Sequence, residues 1–329
     1  MEKAEFTVDY FSGEVESALS RISYPATAPG LYAPISYTLD GGGKRLRPVL
    51  LLAVFAAVSG RAVEEAMPQA LAVEMFHNFT LLHDDVMDDA DIRRGRPAVH
   101  RRWNASVAIL SGDAMLTLSS QLLAQCPRHI LPEALALFNT TAMEVYQGQQ
   151  LDMEFQDMHS VSEADYLEMI RLKTSVLLAC ACALGAMAAD SDNAVRKAFY
   201  EYGLNLGLAF QMRDDWLDTY GDPAVFGKQI GGDILNRKKT WLYTKACEDV
   251  DAAKALDAAY AGYKADGDEE KLIAAVREIY DSLELGERLV SQAANYAADA
   301  RRNIACIEMD ERAREFFNSL ADKAATRDH

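Results

Sequence analysis

Basic residues are scarce in this chain of 329, where 33 Lys and Arg stand against 50 Asp and Glu for a formal charge of -17. Nucleic-acid binding rests on phosphate neutralisation by Lys and Arg, so that class of partner is argued against. Cysteine is scarce as well. Cys126, Cys180, Cys182, Cys247 and Cys306 are scattered, and Cys180 and Cys182 lack a second pair at zinc-ligand spacing, so reduced thiols packed in a core are expected. Long hydrophobic runs are also missing. Val49 to Val58 and Val176 to Ala189 fall short of the roughly 18 residues of a membrane span and read as buried core helices. The opening MEKAEFTVDYFSGEVES has no positive region followed by an apolar run, and a cytoplasmic placement is expected.

Helical periodicity is abundant. Half the residues are hydrophobic, and they recur at helical spacing in EEAMPQALAVEMFHNFTLLHDD, NASVAILSGDAMLTLSSQLLAQC and SEADYLEMIRLKTSVLLACACALGAMAAD. No alternating strand segment competes with them. Breaks are expected at Asp40 to Lys44, RRGRP, Pro127, Ser191 to Asn193, TYGDP and KADGDEE. One all-α domain over 1–329 follows, with no low-complexity linker and no repeat.

One stretch works against its own helix. LLHDDVMDDADIRRGRP sets Asp84, Asp85, Asp88, Asp89 and Asp91 just ahead of Arg93, Arg94 and Arg96, at the end of an apolar helix. Carboxylates there oppose the macrodipole and Asp is a poor helix former, so something must neutralise them. Asp84 and Asp88 lie one turn apart on one face, with Asp85 alongside. DDWLD repeats the spacing with Asp214, Asp215 and Asp218. Hard oxygens presented one or two at a time suit Mg²⁺, which takes its other ligands from water and substrate phosphate. A solvated acidic helix end explains one copy as well; two copies favour metal, and neither fits the EF-hand loop.

The few cations cluster. GGGKRLRP puts Lys44, Arg45 and Arg47 after three glycines and at the opening of an apolar helix, which suits an anion. Arg93 and Arg94 follow the first acids, RLKTS offers Lys173 and Thr174, and FGKQIGGDILNRKKT offers Lys228 and Lys238. Each lysine alone reads as a solvated surface residue. Together with two acid sets, they call for two polyphosphate groups.

In order along the chain, GGGKRLRP, HNFTLLHDDVMD…RRGRP, ILSGDAML, GQQLD, LKTS, FQMRDDWLD and GKQIGGDI…KKT resemble the trans-isoprenyl diphosphate synthases, or polyprenyl synthetases. The resemblance implies an all-α helical bundle around a deep central cavity, working as a homodimer. It implies that Lys44, Arg47, His77 and Arg94 hold the diphosphate of isopentenyl diphosphate. Arg93, Lys173, Thr174, Gln211, Lys228 and Lys238 would hold the allylic diphosphate. A cluster of about three Mg²⁺ would be carried by Asp84, Asp88 and Asp214, with Asp85, Asp215 and Asp218 supporting. Asp89 and Asp91 fall outside the family's strict motif and stay unassigned. ATRDH lacks the strongly basic tail of some members, so no lid role is expected for Arg327. His83 is expected to be structural.

Product length is set, in that family, upstream of the first acids. Phe79 with the small Thr80 and with Phe76 behind it resembles a short-chain pattern, geranylgeranyl diphosphate first and farnesyl diphosphate next, although Phe79 also reads as a plain core aromatic. The alternatives are a class I terpene cyclase, a longer-chain synthase and a non-catalytic partner subunit.

Overall fold

The computed structural model describes residues 5–222 and 230–327. The chain divides into two compact units. One is built from the residues up to Asn139 with Cys180–Tyr200 and Ile307–Phe316; the other comprises Thr140–Ala179, Glu201–Cys306 and the residues from Phe317 on.

In the first unit, helix Leu46–Ser59 is apolar on every side, and Val49 through Phe55 are all at most 1% exposed, so it is a central core helix. It meets a second apolar segment at Gly185, where an added Cβ would lie 2.3 Å from the Leu51 carbonyl oxygen. Helix Met67–Met87 begins with a proline in its first turn, which suits the missing donor, and carries the first acids at its other end. Helix Ala105–Leu123 is capped by the Asn104 side chain, which accepts from the Val107 N–H at 2.9 Å.

In the second unit, helix Glu163–Ile170 is capped by Ser162. It continues through a π turn, Arg171–Ser175, into Val176–Ala188, of which the residues from Cys180 on belong to the first unit. Helix Val250–Asp266 ends on the left-handed Gly267, and Asp268 opens Glu269–Ser282 by accepting from the Lys271 N–H at 3.0 Å. The KADGDEE break is therefore a glycine stop followed directly by an aspartate start.

Three features differ from the sequence reading. RRGRP is not only a break: Ile92–Arg93 and Arg96–Pro97 form an antiparallel pair, with Arg93 opposite Arg96. The π turn interrupts a helix that periodicity reads as continuous. Cys126, Cys180 and Cys182 are buried and reduced as expected, but Cys306 is exposed. Two helices are long and apolar enough to cross a bilayer by length and composition. Glu163–Ala188 is 83% buried inside the protein over its apolar window, as a core helix is, and Ala105–Leu123 is 33% buried.

Candidate functional site

The first acid set is neutralised from its own hairpin. Asp85, 3% exposed, accepts from Arg93 Nε at 2.8 Å and Nη2 at 2.5 Å, and Arg93 also pairs with Asp84 at 3.5 Å. Burial pushes the Asp85 carboxyl upward and Arg93 works against that rise. Asp88 caps the helix, its N–H donating to the Asp84 carbonyl at 2.8 Å, and is exposed.

Arg94 and Gly95 form the two-residue turn of the hairpin, with φ of 52° and 71°. This is the pattern of a type I′ turn, which prefers Asn-Gly; an arginine in the left-handed region costs of the order of 1 kcal/mol. The turn aims the Arg94 guanidinium at the triglycine loop, where it donates to the Gly42 carbonyl. A Cβ on Gly43, itself at φ 133°, would lie 2.9 Å from Arg94 Cζ. Only glycine meets both demands.

Arg47 Nη1 donates to His77 Nε2 at 3.0 Å. Burial, then the charges of Arg47 and Arg94, hold the imidazole well below its ordinary range, so His77 is a neutral acceptor that aims Arg47. Burial, with Arg94 adding to it, brings Arg47 itself down to about 10. Lys44 is exposed beside them. Arg45 leaves the cluster: 3% exposed, it forks Glu16 at 2.6 Å and Glu74 at 2.7 Å, and is a structural ion pair rather than an anion ligand.

Phe79 and Phe76 are buried and in contact, with ring centroids 5.5 Å apart, and Phe138 meets Phe76 at 5.3 Å. Thr80 turns its hydroxyl back to the His77 carbonyl at 2.8 Å. His83 stands edge-on to Phe79 and contacts the Ile109 carbonyl at 3.0 Å, the structural role expected of it. Gly112 leaves room for that ring; a Cβ there would lie 2.2 Å from His83 Nε2.

The second acid set sits on helix Asn193–Tyr220 in the other unit and is satisfied differently. Asp215, 4% exposed, accepts from Tyr166 Oη at 2.6 Å, Gln211 Nε2 at 3.2 Å and the Trp241 N–H at 3.3 Å. Burial, and next the charge of Asp233, raise its carboxyl to about 7. Gln211 Oε1 in turn accepts from Thr174 Oγ1 at 3.0 Å. Lys173 and Thr174 lie on the π turn, and Lys173 Nζ donates to Asp152 at 2.5 Å. Two glycines make room for that turn: a Cβ on Gly148 would meet the Lys173 nitrogen at 2.2 Å, and one on Gly207 the Ser175 Cα at 2.5 Å. Asp218 accepts from the Asp233 N–H at 2.9 Å, and Lys238 pairs with Asp233 at 3.4 Å. Lys173, Thr174, Gln211, Asp215 and Lys238 share the lining of a cavity of about 90 Å³. Lys228 lies outside the described residues.

Sequence reasoning missed three groups. Arg101 grips both unassigned acids, Asp89 at 2.8 Å and Asp91 at 2.7 Å, and so braces the root of the hairpin. Tyr166 carries no motif of its own. Arg327, for which no lid role was expected and no other role assigned, pairs with Asp214 and packs 3.7 Å above the Phe210 ring, while its carbonyl accepts from Arg213 Nε at 2.8 Å. The donors of both acid sets are hard carboxylate oxygens. Among the described residues no three His, Cys, Asp or Glu side chains form a ready-made metal cluster. Such a donor set fits a divalent ion that completes its shell with water and phosphate.

The polyprenyl synthetase family model matches residues 28–279. A geranylgeranyl diphosphate synthase of Methanosarcina mazei is 41% identical over 241 residues, which is 72% of this chain and 74% of that protein. A crystal structure of a geranylgeranyl pyrophosphate synthase superposes with a TM-score of 0.93 at 37% identity, covering 98% of this chain and 99% of that one. A polyprenyl synthase from Caulobacter crescentus CB15, complexed with calcium and isoprenyl diphosphate, gives a TM-score of 0.85 at 29% identity over the whole of both chains. The chain belongs to the polyprenyl synthetase family and is a trans-prenyltransferase of that all-α fold.

Proposed function

We propose that the chain, with 1–329 acting as one catalytic domain, condenses isopentenyl diphosphate with an allylic diphosphate, head to tail, to a short product: geranylgeranyl diphosphate first, farnesyl diphosphate next. The observation that carries this reading is the presence of two separate cation groups, one in each unit. Arg47, aimed by His77, and Arg94 stand with Lys44 in one unit; Lys173, Thr174, Gln211 and Lys238 line one cavity in the other. A terpene cyclase, which handles a single diphosphate, has no use for the first group.

In this reading Lys44, Arg47 and Arg94 hold isopentenyl diphosphate, and His77 supplies orientation rather than charge. Arg93, Lys173, Thr174, Gln211, Lys238 and Lys228 hold the allylic diphosphate and stabilise the charge that grows on its leaving oxygens. Asp84, Asp88 and Asp214 carry the divalent ions, for which magnesium is proposed; when bound, they supply Lewis-acid stabilisation of the departing diphosphate. Asp85, Asp215 and Asp218 orient those groups. The double bond of isopentenyl diphosphate attacks the allylic cation, and the proton that is lost goes to the departing diphosphate. Phe79, with Phe76 behind it, closes the floor under the growing chain.

A homodimer in the cytoplasm completes the proposal. Ile109 and Leu110 are 46% and 59% exposed on the apolar helix Ala105–Leu123, a face that a second copy would cover. The exposed thiol of Cys306 fits a reducing compartment. Incubation with isopentenyl diphosphate, each allylic starter and magnesium, followed by mass spectrometry of the dephosphorylated alcohols, tests the reading. Linear twenty- or fifteen-carbon alcohols are expected; cyclic hydrocarbons formed without isopentenyl diphosphate would overturn it. Phe79→Ala should lengthen the products, and an unchanged distribution in a folded, active variant removes Phe79 from the floor.

A further inference from the structure

We propose that Tyr166 is a positioning residue for the allylic-diphosphate group of the site, acting through Asp215 to fix the orientation of Gln211 and Thr174. The inference rests on the proposed function and adds a residue to it. Tyr166 is 1% exposed, lies on helix Glu163–Ile170, and reaches 49 positions along the chain to donate to Asp215 Oδ2 at 2.6 Å. The Trp241 N–H donates to the same oxygen at 3.3 Å, which leaves Oδ1 to receive Gln211.

That division of oxygens decides the amide. The Gln211 NH₂ faces the accepting Asp215 Oδ1, which turns Oε1 away. Oε1 then receives the Thr174 hydroxyl at 3.0 Å, and the second amide N–H of Gln211 stays available for an anion. Thr174, Gln211, Asp215 and Tyr166 are therefore one chain of hydrogen bonds whose far end is a buried phenol. All four line the same cavity as Lys173 and Lys238. Without the phenol, Asp215 Oδ2 loses its shortest donor. The carboxyl group is then released to rotate, and Gln211 is free to flip.

The test is steady-state kinetics of Tyr166→Phe with geranyl diphosphate and isopentenyl diphosphate. The KM for the allylic substrate should rise roughly tenfold or more, in the range seen when a supporting hydrogen bond is removed from a site, with the KM for isopentenyl diphosphate within about twofold of wild type. A double-mutant cycle gives a readout that a merely structural role would not move. In a Gln211→Ala background, Tyr166→Phe should have no further effect on the allylic KM. Additive effects, equal losses on both substrates, or an unchanged allylic KM in a folded variant overturn the assignment. If Tyr166→Phe does not fold, Asp215→Asn removes the same constraint on Gln211, and the same split is expected of it. A wild type that makes no product from isopentenyl diphosphate overturns the functional reading as well; a productive wild type with an indifferent Tyr166→Phe overturns only this one.

Discussion

Asp85 and Asp215 hold the same place in two copies of one spacing, and the chain buries both, at 3% and 4% exposure. Asp85 is met by a permanent cation, the forked guanidinium of Arg93, eight residues along the same chain segment. Asp215 is met by neutral donors, a phenol, an amide and a backbone N–H, gathered from three elements. The consequence is electrostatic. A cation opposes the rise that burial imposes on Asp85, whereas neutral donors leave Asp215 raised to about 7. The DDxxD spacing therefore specifies which acid is buried, and the surroundings decide its charge. In both copies the outer acids, Asp84 and Asp88 or Asp214 and Asp218, are less buried than the middle one.

The largest expected effect comes from those outer acids. Asp84→Ala and Asp214→Ala should each lower turnover by about 10²–10³ or more, the cost of a lost preorganised charge-stabilising group, while folding survives. Asp84 pairs with Arg93 and Asp214 with Arg327 across partly exposed contacts, and pairs of that kind contribute about 0–1 kcal/mol. A collapse of the melting temperature in either variant would make these acids structural and break the comparison. Cation removal comes next. Arg47→Ala and Lys44→Ala should raise the KM for isopentenyl diphosphate by about 10- to 100-fold, as losing a charge-assisted contact does, with little change for the allylic substrate. Lys173→Ala should show the opposite bias; the same bias in both would refute two separate anion sites.

Much of this was legible from the chain. Apolar residues at helical spacing, stopped by Gly267 or at the Asp40 to Lys44 loop, give the all-α class directly. The acid and cation motifs announce a diphosphate chemistry because their residue types are unusual for helix ends. What was hidden depends on partners distant in sequence. Arg45 reads as one cation among three in GGGKRLRP until Glu16 and Glu74, each 29 positions away, claim it. The hairpin at Ile92–Pro97 is only two residues per strand, and its Arg-Gly turn lacks the Asn that signals a type I′ bend. The π turn at Lys173 is set by close packing against Gly148 and Gly207, which no local pattern records. Tyr166 and Arg327 reach their acids from 49 and 113 positions away.

Stability gives a finer test of the contrast between cation and neutral donors. Asp85→Asn leaves the Arg93 guanidinium against an amide, with the 3.5 Å contact to Asp84 and the charge of Asp88 still acting on it. Urea denaturation should register a loss of about 1–3 kcal/mol, the usual penalty when a charge loses its hydrogen-bonded partner. At Asp215→Asn the carbonyl oxygen can still accept from Tyr166 and Trp241, and Gln211 can flip to present its own oxygen. Its loss should stay within about 1 kcal/mol even as activity falls. Equal losses at the two positions would mean that the identity of the donors does not matter.

The smallest effect probes the same contrast at a group surrounded by cations. His77 lies among permanent cations, and burial with the charges of Arg47 and Arg94 keeps it neutral well below its ordinary range. In the unfolded chain it titrates near its usual value of about 6.5. The unfolded state therefore takes up a proton that the folded state refuses, and stability falls as the pH drops through that value. The penalty is small above neutrality and grows by about 0.7 kcal/mol between pH 7 and pH 6, by linkage with a single refused proton. His77→Gln can still accept from Arg47 and does not titrate. The stability difference between wild type and variant, measured by urea denaturation at both pH values, should shift towards the variant by that amount as the pH falls. A difference that stays constant would mean that His77 takes up its proton alike in the folded and the unfolded chain, and its role would then not be that of a neutral acceptor alone.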